Sequence, residues 1–233
     1  MTQRYEDGDY ITANPNWHDA DAPWKAKHVA GLLREFYPGP QSICDVGCGT
    51  GGVLEALSTA LPGAEAVGYE ISPQAIAFAK REHPNVHIRQ GSSDAIADRY
   101  DVLLALDVLE HVDDYLGFLR SLINKADKYV FHIPLDMNAQ NVVRAKPFIH
   151  AREGIGHLHY FSRETALATL KYAGFEVLAE RYTPTDIDGP LSTKAKAAVL
   201  PRKLAYRVSP HLAVRVLGGY SLLVLANAAP LQV

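Results

Sequence analysis

The feature that most constrains this chain is the run Asp45-Val46-Gly47-Cys48-Gly49-Thr50-Gly51-Gly52. It follows a short apolar run, Ser42–Val46, and opens a helical stretch, Gly52–Leu61. Glycines there allow a tight turn and let a ligand come close to the main chain. The amides that open the next helix point at such a ligand and favour negative charge. A buried strand that turns at once into a helix needs a sheet for that helix to pack on, which is the layout of a layered α/β fold.

The rest of the chain repeats the unit. Apolar runs predict strands over Ala64–Glu70, Val86–Gln90, Tyr100–Leu106, Lys128–Ile133, Phe175–Tyr182 and Tyr220–Ala226. Helical spacing predicts helices over Trp24–Phe36, Pro73–Glu82 and Asp114–Ala126. Ser162 and Gly174 bracket a further helix as N-cap and C-cap. Strand–helix alternation implies a Rossmann-like, doubly wound α/β fold with helices on both faces. Residues 134–159 lack a clear period and read as a long loop, a length usually tied to function. Residues 1–40 form an N-terminal lid or helical segment, with Tyr10, Trp17 and Trp24 either covering a ligand or packing as core. The main domain then spans 41–233, with an insertion at about 184–219.

The totals exclude some classes. The chain has 233 residues with 23 Lys plus Arg against 26 Asp plus Glu, a net charge of −3, so it lacks the basic excess of a nucleic-acid binder. Cys44 and Cys48 have no second pair to complete a zinc site and read as two small buried thiols. The first residues carry no signal-peptide apolar core, and the stretch from Leu212 to Ala229 is broken by Arg215 and Gly218-Gly219. The expected location is the cytoplasm, with at most peripheral membrane contact.

Taken alone, Gly47-x-Gly49-x-x-Gly52 also fits a dinucleotide fingerprint. Asp45 argues against that ligand, because a carboxylate beside the turn repels a pyrophosphate. It suits the ammonium and sulfonium of S-adenosyl-L-methionine. Glu70, at the end of the second strand, can take both ribose hydroxyls of either ligand.

Ile43-Cys44-Asp45-Val46-Gly47-Cys48-Gly49-Thr50-Gly51 resembles motif I of class I S-adenosylmethionine-dependent methyltransferases. Tyr100-Asp101-Val102-Leu103-Leu104-Ala105-Leu106-Asp107-Val108-Leu109-Glu110-His111-Val112 resembles the fourth-strand segment of the ubiquinone O-methyltransferase-like branch. Gly156-His157-Leu158-His159-Tyr160-Phe161-Ser162 and Tyr172-Ala173-Gly174-Phe175 resemble later elements of that branch. The resemblance implies a mostly parallel seven-stranded sheet whose last strand is antiparallel. It implies methyl transfer to an oxygen or nitrogen of a small molecule such as a sugar, phenol, quinone precursor or specialised metabolite. It places the cofactor on Asp45, Gly47, Cys48, Gly49, Gly51, Glu70, Ile71, Asp107 and Val108, and on the turn Ser92, Ser93, Asp94. The family's acidic residue directly after Gly91 is replaced here by Ser92, so the adenine contact passes to Asp94 or to backbone. The Asn-Pro-Pro-aromatic signature of base-methylating enzymes is absent after the fourth strand, which again disfavours nucleic acid.

A hydroxyl or ammonium acceptor must lose a proton, and His suits that task near neutral pH. The candidate bases are His157 and His159 first, then His111. His150, His157 and His159 lack a partner at metal-ligand spacing, so no metal is expected. From Gly189 to Gly218 the insertion has no acidic residue but carries Lys194, Lys196, Arg202, Lys203, Arg207 and Arg215 among apolar residues. A basic amphipathic helix pair fits an anionic or lipid-linked acceptor, a membrane surface or a homodimer contact. Two other functions stay open at this point: a nicotinamide-dependent oxidoreductase, and an adenosine-ligand binding protein without catalysis.

Overall fold

The structure is a computed structural model that describes residues 19–184 and 199–229. A 3-10 turn, Asp19–Asp21, leads into α1 (Ala22–Phe36). Then come β1 (Ser42–Val46), α2 (Gly52–Ala60), β2 (Glu65–Glu70), α3 (Pro73–Glu82), β3 (His87–Gln90) and β4 (Tyr100–Leu106). They are followed by α4 (Tyr115–Leu122), β5 (Ala126–Pro134), α5 (Ala139–Arg144), α6 (Lys146–His150), α7 (Arg163–Ala173) and β6 (Phe175–Thr183). Helices α8 (Val199–Val208) and α9 (Pro210–Leu217) precede β7 (Ser221–Ala228).

The strands form one seven-stranded sheet in the order β3-β2-β1-β4-β5-β7-β6. Pairs β1–β2, β1–β4, β2–β3 and β4–β5 are parallel, and β7 runs antiparallel to both neighbours. This is the sheet that the resemblance implied. The central strands are mostly apolar because both faces are covered, with Asp45 and His132 as buried polar exceptions. In β4, Val102, Leu104 and Leu106 join α1 and α2 on one face, while Leu103 and Ala105 join α4 and α7 on the other.

Several boundaries differ from the sequence reading. The fourth-strand helix stops at Leu122, because Asn124 adopts φ 68 and turns the chain into β5 at Ala126. The stretch 134–159 is not a bare loop but holds α5, α6 and one π-helical turn, Ala151–Ile155. Its turns are held by Asn138, which caps α5 at the Asn141 amide, and by Ala145 at φ 56. Cys44 and Cys48 are buried free thiols, as read from sequence. Among the described residues no helix is long and apolar enough to cross a membrane.

The strand order reverses between β1 and β4, and in open α/β sheets ligands bind outside the carboxyl ends of the strands at such a point. A cavity of about 790 Å³ opens there. Its size lies within the roughly 300–1,000 Å³ of ordinary ligand sites.

Candidate functional site

The glycine turn forms one wall. Gly47, Gly49 and Gly51 have φ of 72, 57 and 78, the left-handed region. A Cβ on Gly47 would sit 2.8 Å from Val108 Cγ2, whereas the space before Gly49 is open. The turn is tied to β2, since the Gly47 amide donates to the Tyr69 carbonyl at 2.8 Å. Glu70 accepts from the Gly49 amide at 2.9 Å through one carboxyl oxygen and from the Ser72 amide at 2.8 Å through the other. Glu70 also lines the cavity. Burial raises the Glu70 pKa, and the amides of Ser72 and Gly49 oppose that rise.

Behind the turn lies a buried charge cluster. Asp45 is 2% exposed, and its Oδ1 has no hydrogen-bond partner. Burial pushes its carboxyl up to about 8, with Lys25 pulling it down and Glu70 and Asp107 pushing it further up. Asp107, just past β4, adopts φ 55, an uncommon conformation for a residue with a side chain. Its carboxylate takes Lys25 Nζ at 2.7 Å and His132 Nδ1 at 2.6 Å. Burial would raise the Asp107 pKa, but His132 and Lys25 outweigh burial and hold it well below the usual carboxylate range. Burial likewise works against the Lys25 charge, and Asp107 overcomes it. His132 Nε2 meets Thr183 Oγ1 at 2.8 Å, so one chain of contacts links α1, β4, β5 and the end of β6.

The far side is built by the segment after α6. The Leu158 amide donates to the Glu110 carbonyl at 2.7 Å, which draws residues 156–159 against the 3-10 turn Leu109–His111. His111 Nδ1 donates to the Gly156 carbonyl at 3.1 Å, which leaves Nε2 with its lone pair. Burial, helped by His157, lowers the His111 pKa to about 4. The His157 ring packs edge-on to it at 5.0 Å. His157 Nδ1 bonds Asp136 Oδ2 at 2.6 Å, so Nδ1 carries the proton and Nε2 is free to accept one. Glu110 is 1% exposed with both carboxyl oxygens unpartnered, and burial drives its pKa well up.

The structure brings Asp45, Gly47, Cys48, Gly49, Glu70, Ile71, Asp107, Val108, His111 and His157 into one cavity wall. Other expected residues lie elsewhere. Gly51 caps α2 and faces Val86 and Ile88 of the β3 segment. Ser92 and Asp94 are exposed, and Ser93 is buried with its hydroxyl on Ser121 of α4 at 2.6 Å. That contact holds the turn after edge strand β3 against α4, and the three residues are not among those that line the cavity. His159 also lies outside the lining, with its Nε2 on the Val112 carbonyl at 2.9 Å and its ring against Tyr115. The expectation of no metal ligands looked only at His150, His157 and His159. Folding instead gathers Glu110, His111 and His157, with donor atoms all within 4.8 Å, a group able to hold a cation.

Several lining residues were not anticipated, Lys25 and Asp19 among them. Lys25 sits on the buried stripe of α1 between Ala22, Ala26 and Val29, and a lysine on an apolar face was its signal. Asp19 accepts from Thr50 Oγ1 at 2.5 Å and meets His83 Nε2 at 3.1 Å, while His83 Nδ1 meets Glu55 at 2.7 Å. Asp19 and Trp24 bring the start of the described chain across the cavity, while Tyr10 and Trp17 lie outside the described residues. Arg144 and Arg202 also line the cavity.

A match to the family described as methyltransferase domain covers residues 17–180. The ubiquinone biosynthesis O-methyltransferase of Methylococcus capsulatus is 36% identical over 113 residues, 42% of this chain and 46% of that protein. Its counterpart in Nitrosomonas europaea is 29% identical over 167 residues, 60% of this chain and 70% of that protein. The chain thus spans about half the length of the first of these relatives. Magnesium protoporphyrin IX methyltransferase from Synechocystis, solved with bound SAH, shares the fold with a TM-score of 0.66 at 17% identity, covering 98% of this chain and all of that one. The glycine turn, the strand order and the matched span together place this chain in the methyltransferase domain family.

Proposed function

We propose that this protein transfers a methyl group from S-adenosyl-L-methionine to an oxygen or nitrogen of a small-molecule acceptor. The observation that carries the reading is Asp45, a buried carboxyl with an unpartnered oxygen, at the foot of a glycine turn in a large cavity. The lining holds nine Asp and Glu side chains against three Lys and Arg. That environment suits a cationic ligand and opposes a pyrophosphate, which disfavours a nicotinamide dinucleotide.

The donor set fits the cofactor. The turn at Gly47–Gly49 would receive the adenosine side, and the Glu70 carboxylate would take ribose hydroxyls. Asp45 receives the ammonium, and Lys25 lies where it can meet the carboxylate of the same amino acid. When bound, the cofactor supplies a methyl group on a sulfonium, an activated centre with a good leaving group. The chain's own work is to align an acceptor, exclude water and take a proton. His157 Nε2 is the proton acceptor, and Asp136 holds its ring and stabilises the charge that forms. His111, lowered to about 4 by burial, is the weaker base. Trp24 and Asp19 cover the cavity from α1 and its leading turn. Arg144 and Arg202 in the lining favour an acceptor that carries negative charge, and the cytoplasm is the proposed location.

The test is calorimetric titration with S-adenosylmethionine, S-adenosylhomocysteine and NAD, followed by an acceptor screen for S-adenosylhomocysteine release. Binding of the first two and not the third is expected. Binding of NAD alone would overturn the reading, and cofactor binding without turnover on any acceptor class would favour a non-catalytic binding protein.

A further inference from the structure

The helices inserted between β6 and β7 expose an apolar stripe that none of the described residues covers. On α8, Leu200, Leu204 and Val208 are 68%, 58% and 87% exposed, and they recur every fourth residue on one face. On α9, Leu212 and Val216 repeat the pattern at 61% and 39%. The opposite face of α9 is already used, since Ala213 and Val214 are buried. Core packing therefore does not explain the outer stripe. A helix with apolar residues on the solvent side and basic residues beside them matches a surface that is greasy within and anionic outside.

Charge supports the same partner. Neither α8 nor α9 contains an acidic residue, although the whole chain is net negative. Exposed Lys203 and Arg207 flank the α8 stripe. The neighbouring helices α5 and α6 add exposed Val142, Val143 and Ile149 with Arg144 and Lys146, again with no acid. The two helix pairs meet where the end of α9 abuts Asn138, the cap of α5. Both pairs contribute to the cavity lining, through Arg144 and Pro147 on one side and Arg202 and Leu217 on the other.

We propose that the α8–α9 stripe, continued by α5–α6, docks this protein on an anionic lipid bilayer with the cavity mouth facing the membrane. A symmetric contact with a second copy would set Lys203 and Arg207 against the same basic face, so self-association opposes the charge pattern. Lipid phosphates complement it, and each basic residue near such a surface strengthens binding. The consequence for acceptor entry rests on the methyltransferase reading, whereas the docking itself does not.

The test is flotation of the full chain with vesicles of phosphatidylcholine alone or with added phosphatidylglycerol. Binding to the anionic vesicles only, weakened by salt, is expected. Lys203→Gln with Arg207→Gln should lower that partition by about 30-fold, and Leu204→Glu with Val208→Glu should abolish it. Titration with S-adenosylmethionine should be unchanged in both variants, which also shows that they fold. No binding to anionic vesicles, or equal binding to neutral ones, would overturn the proposal. A dimer that Leu204→Glu with Val208→Glu converts to monomer would assign the stripe to a second copy instead. Flotation without cofactor binding would leave the docking intact and refute the methyltransferase reading.

Discussion

Asp45 sets a pH dependence that can be worked out in advance. Its carboxyl lies at about 8 instead of 3.8, chiefly because burial penalises the charge. A cationic ligand held against it returns it toward the ordinary value, so the ligand binds the ionised form. That form makes up about one half at pH 8 and about one hundredth at pH 6. Affinity for S-adenosylmethionine should therefore fall about 50-fold between pH 8 and pH 6, and binding at pH 7 should release about 0.9 proton per site. Calorimetry at both pH values, in buffers of different ionisation enthalpy, reads both quantities. Asp45→Asn separates this group from Glu70 and Glu110, whose pKa values burial also raises. The variant should bind weakly and lose most of the slope. The sign for stability is opposite. A carboxyl raised in the folded state favours folding while protonated, so the ligand-free protein loses stability as the pH rises from 3.8 toward 8. A flat affinity profile, or an Asp45→Asn variant with the full slope, would refute the reasoning.

Replacing the proposed base, His157→Asn, should lower kcat by about 10²- to 10⁴-fold while cofactor affinity stays unchanged, as read by turnover and titration. Lys25→Met leaves the half-buried Asp107 carboxylate with His132 alone. It should cost roughly 2–4 kcal/mol in denaturant unfolding, discounted for partial exposure, and weaken cofactor binding. Gly47→Ala forces a side chain into φ 72 against Val108, so about 1–3 kcal/mol of stability and most cofactor binding should be lost. Unchanged melting and titration in that variant would show that the turn does not need its left-handed geometry.

The layering of the fold and the glycine turn were legible along the chain because their causes are local. A parallel strand covered on both faces is apolar at most positions, so β1, β4 and β5 stood out as runs. The turn at 47–51 needs left-handed φ at alternate residues, which shows directly as Gly47, Gly49 and Gly51. The caps Ser162 and Gly174 act within one helical turn and sit where α7 begins and ends. The stretch 134–159 was harder. Its short helices are set by the Asn138 cap and a strained Ala145, and by the Glu110 carbonyl that holds residues 158–159.

By itself, then, the sequence determined the α/β layering, the glycine turn with its preceding carboxylate, and the basic apolar insertion. These depend on neighbours three or four residues away or on strand alternation. Only the tertiary structure decided which charges meet. It joined Lys25 of α1 to Asp107 after β4, His132 to Thr183, and Asp136 to His157, and it left His159 and the Ser92–Asp94 side chains out of the cavity lining. The physical reason is that such pairings depend on strand order and helix packing. Residues far apart in the chain come together only when the sheet is assembled, and no local pattern records the distance between them.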